Sequence, residues 1–135
     1  MQHLQELEQF VIANSTNPDA LLQYANALYD ARSFPRAVEY YNKYLAMRPN
    51  DVNAIVDKGI CVFENGNGEE AIATMKQGLI IDPNHQKAYF NIAIISLSTN
   101  NPEQAKEYFT KAIALDPNNE TGKRAQEFLE SHLNN

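Results

Sequence analysis

Asp82-Pro83-Asn84 decides the fold, because it recurs as Arg48-Pro49-Asn50 before it and as Asp116-Pro117-Asn118 after it. Pro49, Pro83 and Pro117 stand at equal intervals. A fixed period of about 34 residues marks an array in which each unit buries its apolar face on the next. Proline cannot continue a preceding helix and pushes the residue before it out of helical geometry. Each triplet therefore reads as the end of one unit.

Counted from Pro18, the units are residues 18–51, 52–85 and 86–119. Each holds two helical patterns with a breaker between them. The breakers are Ala31-Arg32-Ser33 with Pro35 restarting a helix, Asn65-Gly66-Asn67-Gly68, and Asn100-Asn101-Pro102, all turn and cap residues. Small residues recur at fixed places, as Ala25, Gly59 and Ala93 and again as Ala37, Ala71 and Ala105. They allow two helix axes to approach closely. Large residues recur beside them: Leu21, Ile55, Tyr89; Leu28, Val62; and Tyr41, Met75, Phe109. No run alternates with period two for long enough to make a strand, so the chain reads as all-α.

The pattern resembles the tetratricopeptide repeat, a helix–turn–helix of about 34 residues with large, small and proline residues at set spacings. The third unit carries it as Tyr89, Ile92-Ala93, Ala105, Phe109, Ala112 and Pro117, and the resemblance covers residues 18–119 in consecutive copies. It implies an α-solenoid of antiparallel helix pairs, about eight helices in all, forming one domain over residues 1–135. Residues 1–17 are then an N-terminal capping helix and 120–135 a C-terminal one, flanking repeats 18–51, 52–85 and 86–119. Leu7 and Phe10 fall on the phase of Tyr41 and Tyr44, so residues 3–14 read as the second helix of an incomplete repeat. The stripe Ala125, Phe128, Leu129 and His132 sits slightly late for a fourth repeat.

Three departures carry local expectations. Tyr44 stands where Gly78 and Ala112 stand, which predicts looser packing of the first unit's second helix. Lys58 replaces Tyr24 and Ile92, with its stem expected to cover apolar surface and its ammonium to reach water. Ser96 replaces Leu28 and Val62 and is expected to bond back to a carbonyl one turn earlier.

Composition excludes several function classes. The formal charge of -6 opposes the phosphate backbone of nucleic acids. No segment has the length of a membrane span. Single Cys61 excludes an internal disulfide and fits a reducing, cytoplasmic compartment, although a membrane-anchored or exported protein could contain the same soluble part. No histidine has a partner at metal-ligand spacing, and no phosphate loop or nucleophile elbow occurs. Cys61 lies mid-helix, where a buried small hydrophobe is expected. The expectation is no enzyme, no catalytic residue, no metal and no cofactor.

The informative feature is a second stripe on the first helix of each unit. It comprises Leu22, Asn26 and Tyr29, then Val56, Ile60 and Phe63, then Phe90, Ile94 and Leu97. The last two sets are wholly apolar, so those helices are apolar over a wider arc than one packing face needs. The family resemblance implies that these positions line the concave face, where partner peptides bind. Family members that hold chaperone tails ending in EEVD clamp the terminal carboxylate with lysine, asparagine and arginine. Here Asn26 and Lys87 match that clamp, while Leu22, Asp57 and Asn91 depart from it. An anion at Asp57 would oppose a carboxylate by about 1 kcal/mol at ~4 Å. The reading is thus a non-catalytic interaction module whose groove (Leu22, Asn26, Tyr29, Val56, Asp57, Ile60, Phe63, Lys87, Phe90, Asn91, Ile94, Leu97) holds an apolar or mildly basic segment of a protein partner. The alternative is a self-associating structural unit that uses the same stripe to form a homo-oligomer.

Overall fold

A short polar side chain just ahead of a helix accepts a hydrogen bond from an otherwise orphaned N–H in the first turn. The chain supplies such a residue once per repeat, at Asn17, Asp51, His85 and Asn119. In the computed structural model, which describes residues 2–133, all four act as caps. They accept from Ala20, Ala54, Ala88 and Gly122 backbone N–H groups respectively. The helices they start are α2 (Pro18–Asp30), α4 (Val52–Glu64), α6 (Gln86–Ser98) and α8 (Glu120–Phe128). Between these run α1 (Gln2–Ala13), α3 (Phe34–Met47), α5 (Gly68–Ile81) and α7 (Pro102–Leu115). A π-helical turn, Leu129–Leu133, extends α8. Met1, Asn134 and Asn135, the outermost residues of the two expected caps, lie outside the described residues.

The turn inside each pair repeats as strictly as the prolines do. Arg32, Gly66 and Asn100 occupy the same place in successive repeats and hold φ of 60°, 94° and 61°. Each left-handed residue lets the next N–H reach back to the preceding helix, as Ser33 to Leu28 O, Asn67 to Val62 O and Asn101 to Ser96 O. This is a Schellman closure. Glycine and asparagine tolerate that conformation, whereas Arg32 adopts it against the preference of its Cβ. Between pairs, the Asp82 and Asp116 carboxylates accept from Asn84 and Asn118 N–H, fixing the Asp-Pro-Asn turns.

The pairs α2–α3, α4–α5 and α6–α7 pack face to face, and each outer helix leans on the next inner one. Adjacent inner helices α4, α6 and α8 also touch one another. The inner layer is therefore the more closely packed one along α4, α6 and α8. The small ladder is fully used, since Ala25, Ala37, Ala71, Ala93 and Ala105 are all inaccessible to solvent. A second ladder, Ala20, Ala54, Ala88 and Gly122, is buried beside it.

Ser96 is buried, donates to Ile92 O at 2.7 Å and accepts from Gln104 Nε2 at 2.8 Å. Lys58 is half-buried. Tyr44 corrects its expectation: it is buried, donates to Asp51 Oδ2 at 2.6 Å, and the α3–α4 junction is no sparser than α5–α6. That hydrogen bond pushes the phenol up to about 12, with burial adding to it. At the N-terminus, Glu8 binds α1 to its neighbours by accepting from Arg36 at 2.8 Å and from Tyr24 at 3.0 Å. The Arg36 bond, helped by Tyr24, holds the Glu8 carboxyl below its ordinary value. The contribution of this latch is therefore lost as pH falls through the lowered value.

The C-terminal helix corrects another expectation. α8 starts in register with α2, α4 and α6 and is not late. Its first-turn Gly122 takes the place of Ala88, while its packing face is turned to present Ala125 and Phe128. The sequence stripe looked late because the face is rotated on a helix that begins on time.

A candidate partner groove on the inner helices

Residues i, i+4 and i+7 share one face of a helix, so the second stripe of each inner helix forms a line, and the stacking sets three lines side by side. Asn26 and Lys87 are exposed; Leu22, Tyr29, Asp57, Ile60, Phe63, Asn91, Ile94 and Leu97 are half-buried. Val56 and Phe90 are buried, at 3% and 6% exposure, which corrects the expectation that they stand open in the row. The physical reason is their place on the stack. Val56 joins the cluster that contains Ala88 of α6, and Phe90 the one that contains Ala125 of α8. At this position the side chain wedges between consecutive inner helices.

Phe90 is sealed by aromatic contacts. Its ring lies 5.7 Å from Phe109 and 6.1 Å from Phe128, both edge-on, and the Arg124 guanidinium sits 5.0 Å away. α8 thus closes one end of the groove. What stays accessible is an apolar shelf of Ile60, Phe63, Ile94 and Leu97, with Tyr29 at its acidic end.

That end is a cleft of about 370 Å³ lined by Asn26, Tyr29, Asp30, Tyr41 and Asp57. Tyr41 Oη donates to Asn26 Oδ1 at 2.6 Å. Burial pushes the Asp57 carboxyl up to about 6, with Asp51 and Asp30 adding to the shift and Lys87 opposing it. Burial, with Asp57 beside it, also raises the Tyr29 phenol. Asn91 Nδ2 donates to Lys87 O at 2.8 Å, within its own helix.

Asp57 favours its neutral form in the fold, so its contribution to stability is full below about 3.8 and is lost as pH rises through about 6. Asp57→Asn is therefore expected to raise stability near neutral pH by about 1 kcal/mol, the shift being discounted for the part of the carboxylate that meets solvent. It should also flatten the dependence on pH between those two values. Urea unfolding of both proteins across that window checks this; a lower midpoint for the asparagine variant at neutral pH would contradict it.

Tyr41 was not read from sequence as a site residue, whereas Asp30 stood among the acidic groups around the stripe. Tyr41 carries the large-residue signature of a packing position, and only the depth of its hydroxyl shows that it also floors a cleft. Asp30 shares its phase with Glu64, a signal the sequence did carry. Cys61 is fully buried, and burial, followed by Asp57, pushes its thiol up to about 12. Among the described residues no group of three or more His, Cys, Asp or Glu is placed to hold a metal ion, and no helix is long and apolar enough to cross a membrane.

Two family models described as tetratricopeptide repeat match the chain, one over residues 28–93 and the other over 87–119. No curated protein matches it. Among solved structures, YrrB, titled a TPR protein with an unusual peptide-binding site, superposes with a TM-score of 0.83 at 23% identity, covering 92% of this chain and 64% of that one. MamA gives 0.79 at 18% identity over 92% of this chain and 75% of its own. PcrH, in complex with the chaperone binding region of PopB, gives 0.78 at 21% identity over 83% and 94%.

Proposed function

The chain belongs to the tetratricopeptide repeat family, and from that premise we propose that it is a non-catalytic module holding a peptide or helix of a partner protein along its inner helices. The observation that supports this reading is the shelf of Ile60, Phe63, Ile94 and Leu97. These apolar side chains lie on the inner helices and keep part of their surface in solvent after the chain has folded. Burying the remainder on a partner would release water at low ordering cost, because the stacked helices already hold the anchors in place. YrrB has an unusual peptide-binding site and PcrH holds the chaperone binding region of PopB; the same mode suits this groove.

The test uses short peptides selected from a random displayed library on the purified protein. Phe63→Asp with Leu97→Asp is expected to weaken the selected peptides by roughly tenfold or more. Ile80→Asp, at a side chain 83% exposed on the outer layer, should leave them unchanged. Melting curves must show that the double variant is folded. Phe90, being buried, is unsuitable for this purpose. Peptides that bind the folded double variant equally well would place the site elsewhere.

One observation favours self-association as a second reading. Met47, Ile81 and Leu115 occupy the same place in successive repeats, on the last turns of the outer helices, and stay 42%, 44% and 38% exposed. Sedimentation up to ~100 µM decides it, since weak interfaces associate at that concentration; a strict monomer removes this reading.

A further inference from the structure

The cleft at the acidic end of the groove is rich in hydrogen-bond acceptors. Asp30 and Asp57 supply carboxylates, and Tyr41, whose O–H donates to Asn26 Oδ1, keeps its oxygen lone pairs. No lysine or arginine lines it. The Asp57 carboxyl makes no hydrogen bond and no ion pair within 4 Å among the described residues. The ring of Tyr29 forms part of the wall. From there the apolar shelf runs on along α4 and α6.

We propose that the occupant of this groove carries a lysine or arginine side chain seated in the Asn26, Tyr29, Tyr41 and Asp57 cleft, with neighbouring apolar side chains laid on Ile60, Phe63, Ile94 and Leu97. The inference rests on the groove reading above and adds the chemistry that selects the ligand. Lysine and arginine heads are pure donors, with three and five N–H groups and no acceptor, so they match a wall of acceptors. A carboxylate or phosphate on the partner would meet two like charges there. The aromatic face of Tyr29 adds attraction for a cation. The long aliphatic stem of either side chain spans from the polar cleft to the apolar shelf.

The seat carries its own signature. The groups facing Asp57 are Asp30 and Tyr29 on α2, Tyr41 on α3, Asp51 and Cys61 at the start and middle of α4, and Lys87 on α6. Of these, Asp51 and Asp30 disfavour its charge and Lys87 supports it. A bound cation favours the ionised carboxylate, so binding expels a proton from Asp57 at low pH. Affinity is therefore full above pH about 6 and declines below it.

The library-selected peptides test this by fluorescence anisotropy. Enriched sequences should carry Lys or Arg close to two or more apolar residues. Changing that cation to glutamine should weaken binding to the wild-type protein by roughly fivefold or more, but by less than about twofold in Asp57→Asn. Acidification from about pH 7.5 to about pH 5 should weaken the wild type severalfold and leave Asp57→Asn nearly flat. Peptides that lose affinity in Phe63→Asp with Leu97→Asp yet ignore both the glutamine change and Asp57→Asn would overturn the cation seat and leave the groove standing. No enrichment, or binding indifferent to the Phe63 and Leu97 changes, would overturn both.

Discussion

Phe109→Ala is expected to lower stability by about 3–5 kcal/mol, the usual cost of emptying a buried phenylalanine site. Phe109 has no solvent exposure, and its ring lies 5.3 Å from Phe128 in a near-parallel stack and 5.7 Å from Phe90 edge-on. Few neighbours can fill the space, because Ala105, Ala112 and Ala125 around it are already small. Against a typical total of about 5–15 kcal/mol, the loss should drop the thermal midpoint by roughly 15 °C. The same change removes the floor on which α8 rests. Amide exchange should show protection lost first over residues 120–128 and last over α4 and α5. A variant that melts within a few degrees of wild type would mean that the third repeat does not depend on this aromatic stack. Phe109→Leu, which keeps most of the volume, should recover much of the loss.

Gly122→Ala is the second large effect, and it comes from one methyl group. A Cβ at Gly122 would run into the carbonyl oxygen of Asp116 and the Cα of Pro117. Both are backbone, so no rotamer change relieves the collision. The Asp116 carbonyl is also pinned by the Gln86 side-chain amide at 2.9 Å, and Asn119 in turn donates to Gln86 Oε1 at 2.6 Å. Moving the loop breaks that set. A net destabilisation of about 2–3 kcal/mol follows after the better helix propensity of alanine is credited. Gly59→Ala is the contrast. There an added Cβ meets the Cγ and Cε of the Met75 side chain at 2.9 Å, with the Ala71 carbonyl oxygen further off at 3.4 Å, and methionine is flexible enough to shift. That change should be close to neutral. Thermal melts of the two variants side by side check the argument, and equal losses would refute it.

Both predictions rest on α8, the element least legible in the sequence. The proline ladder and the small residues set the number of pairs and their phase, because a solenoid repeats the same local solution. Ser96 was legible for the same reason: a hydroxyl on a packing phase needs a partner within its own helix. Phe90 was not. Its phase matches half-buried Leu22, yet it is buried because Ala125 and Phe128 come to lie over it. Periodicity tells which way a side chain points, but not what the next helix does with its own rotation. The polar cleft was half legible. Asp57 stood out as a charge on an apolar face, whereas its place in one cleft with Tyr41 and Asp30 depends on two helices from a different repeat.

The phase of the caps, turns and prolines has a consequence for change in length. One residue advances a helix by about 100°. Adding or deleting one whole repeat between any two equivalent positions would leave every downstream side chain facing as before. It would lengthen or shorten the shelf by one unit without touching its ends. An insertion of a single residue within α4 would instead turn Phe63 away from Leu97 and carry Val62, a packing residue, into its place. Along these helices, residue number works as an angular coordinate, so the shelf tolerates change in whole periods and resists it in single steps.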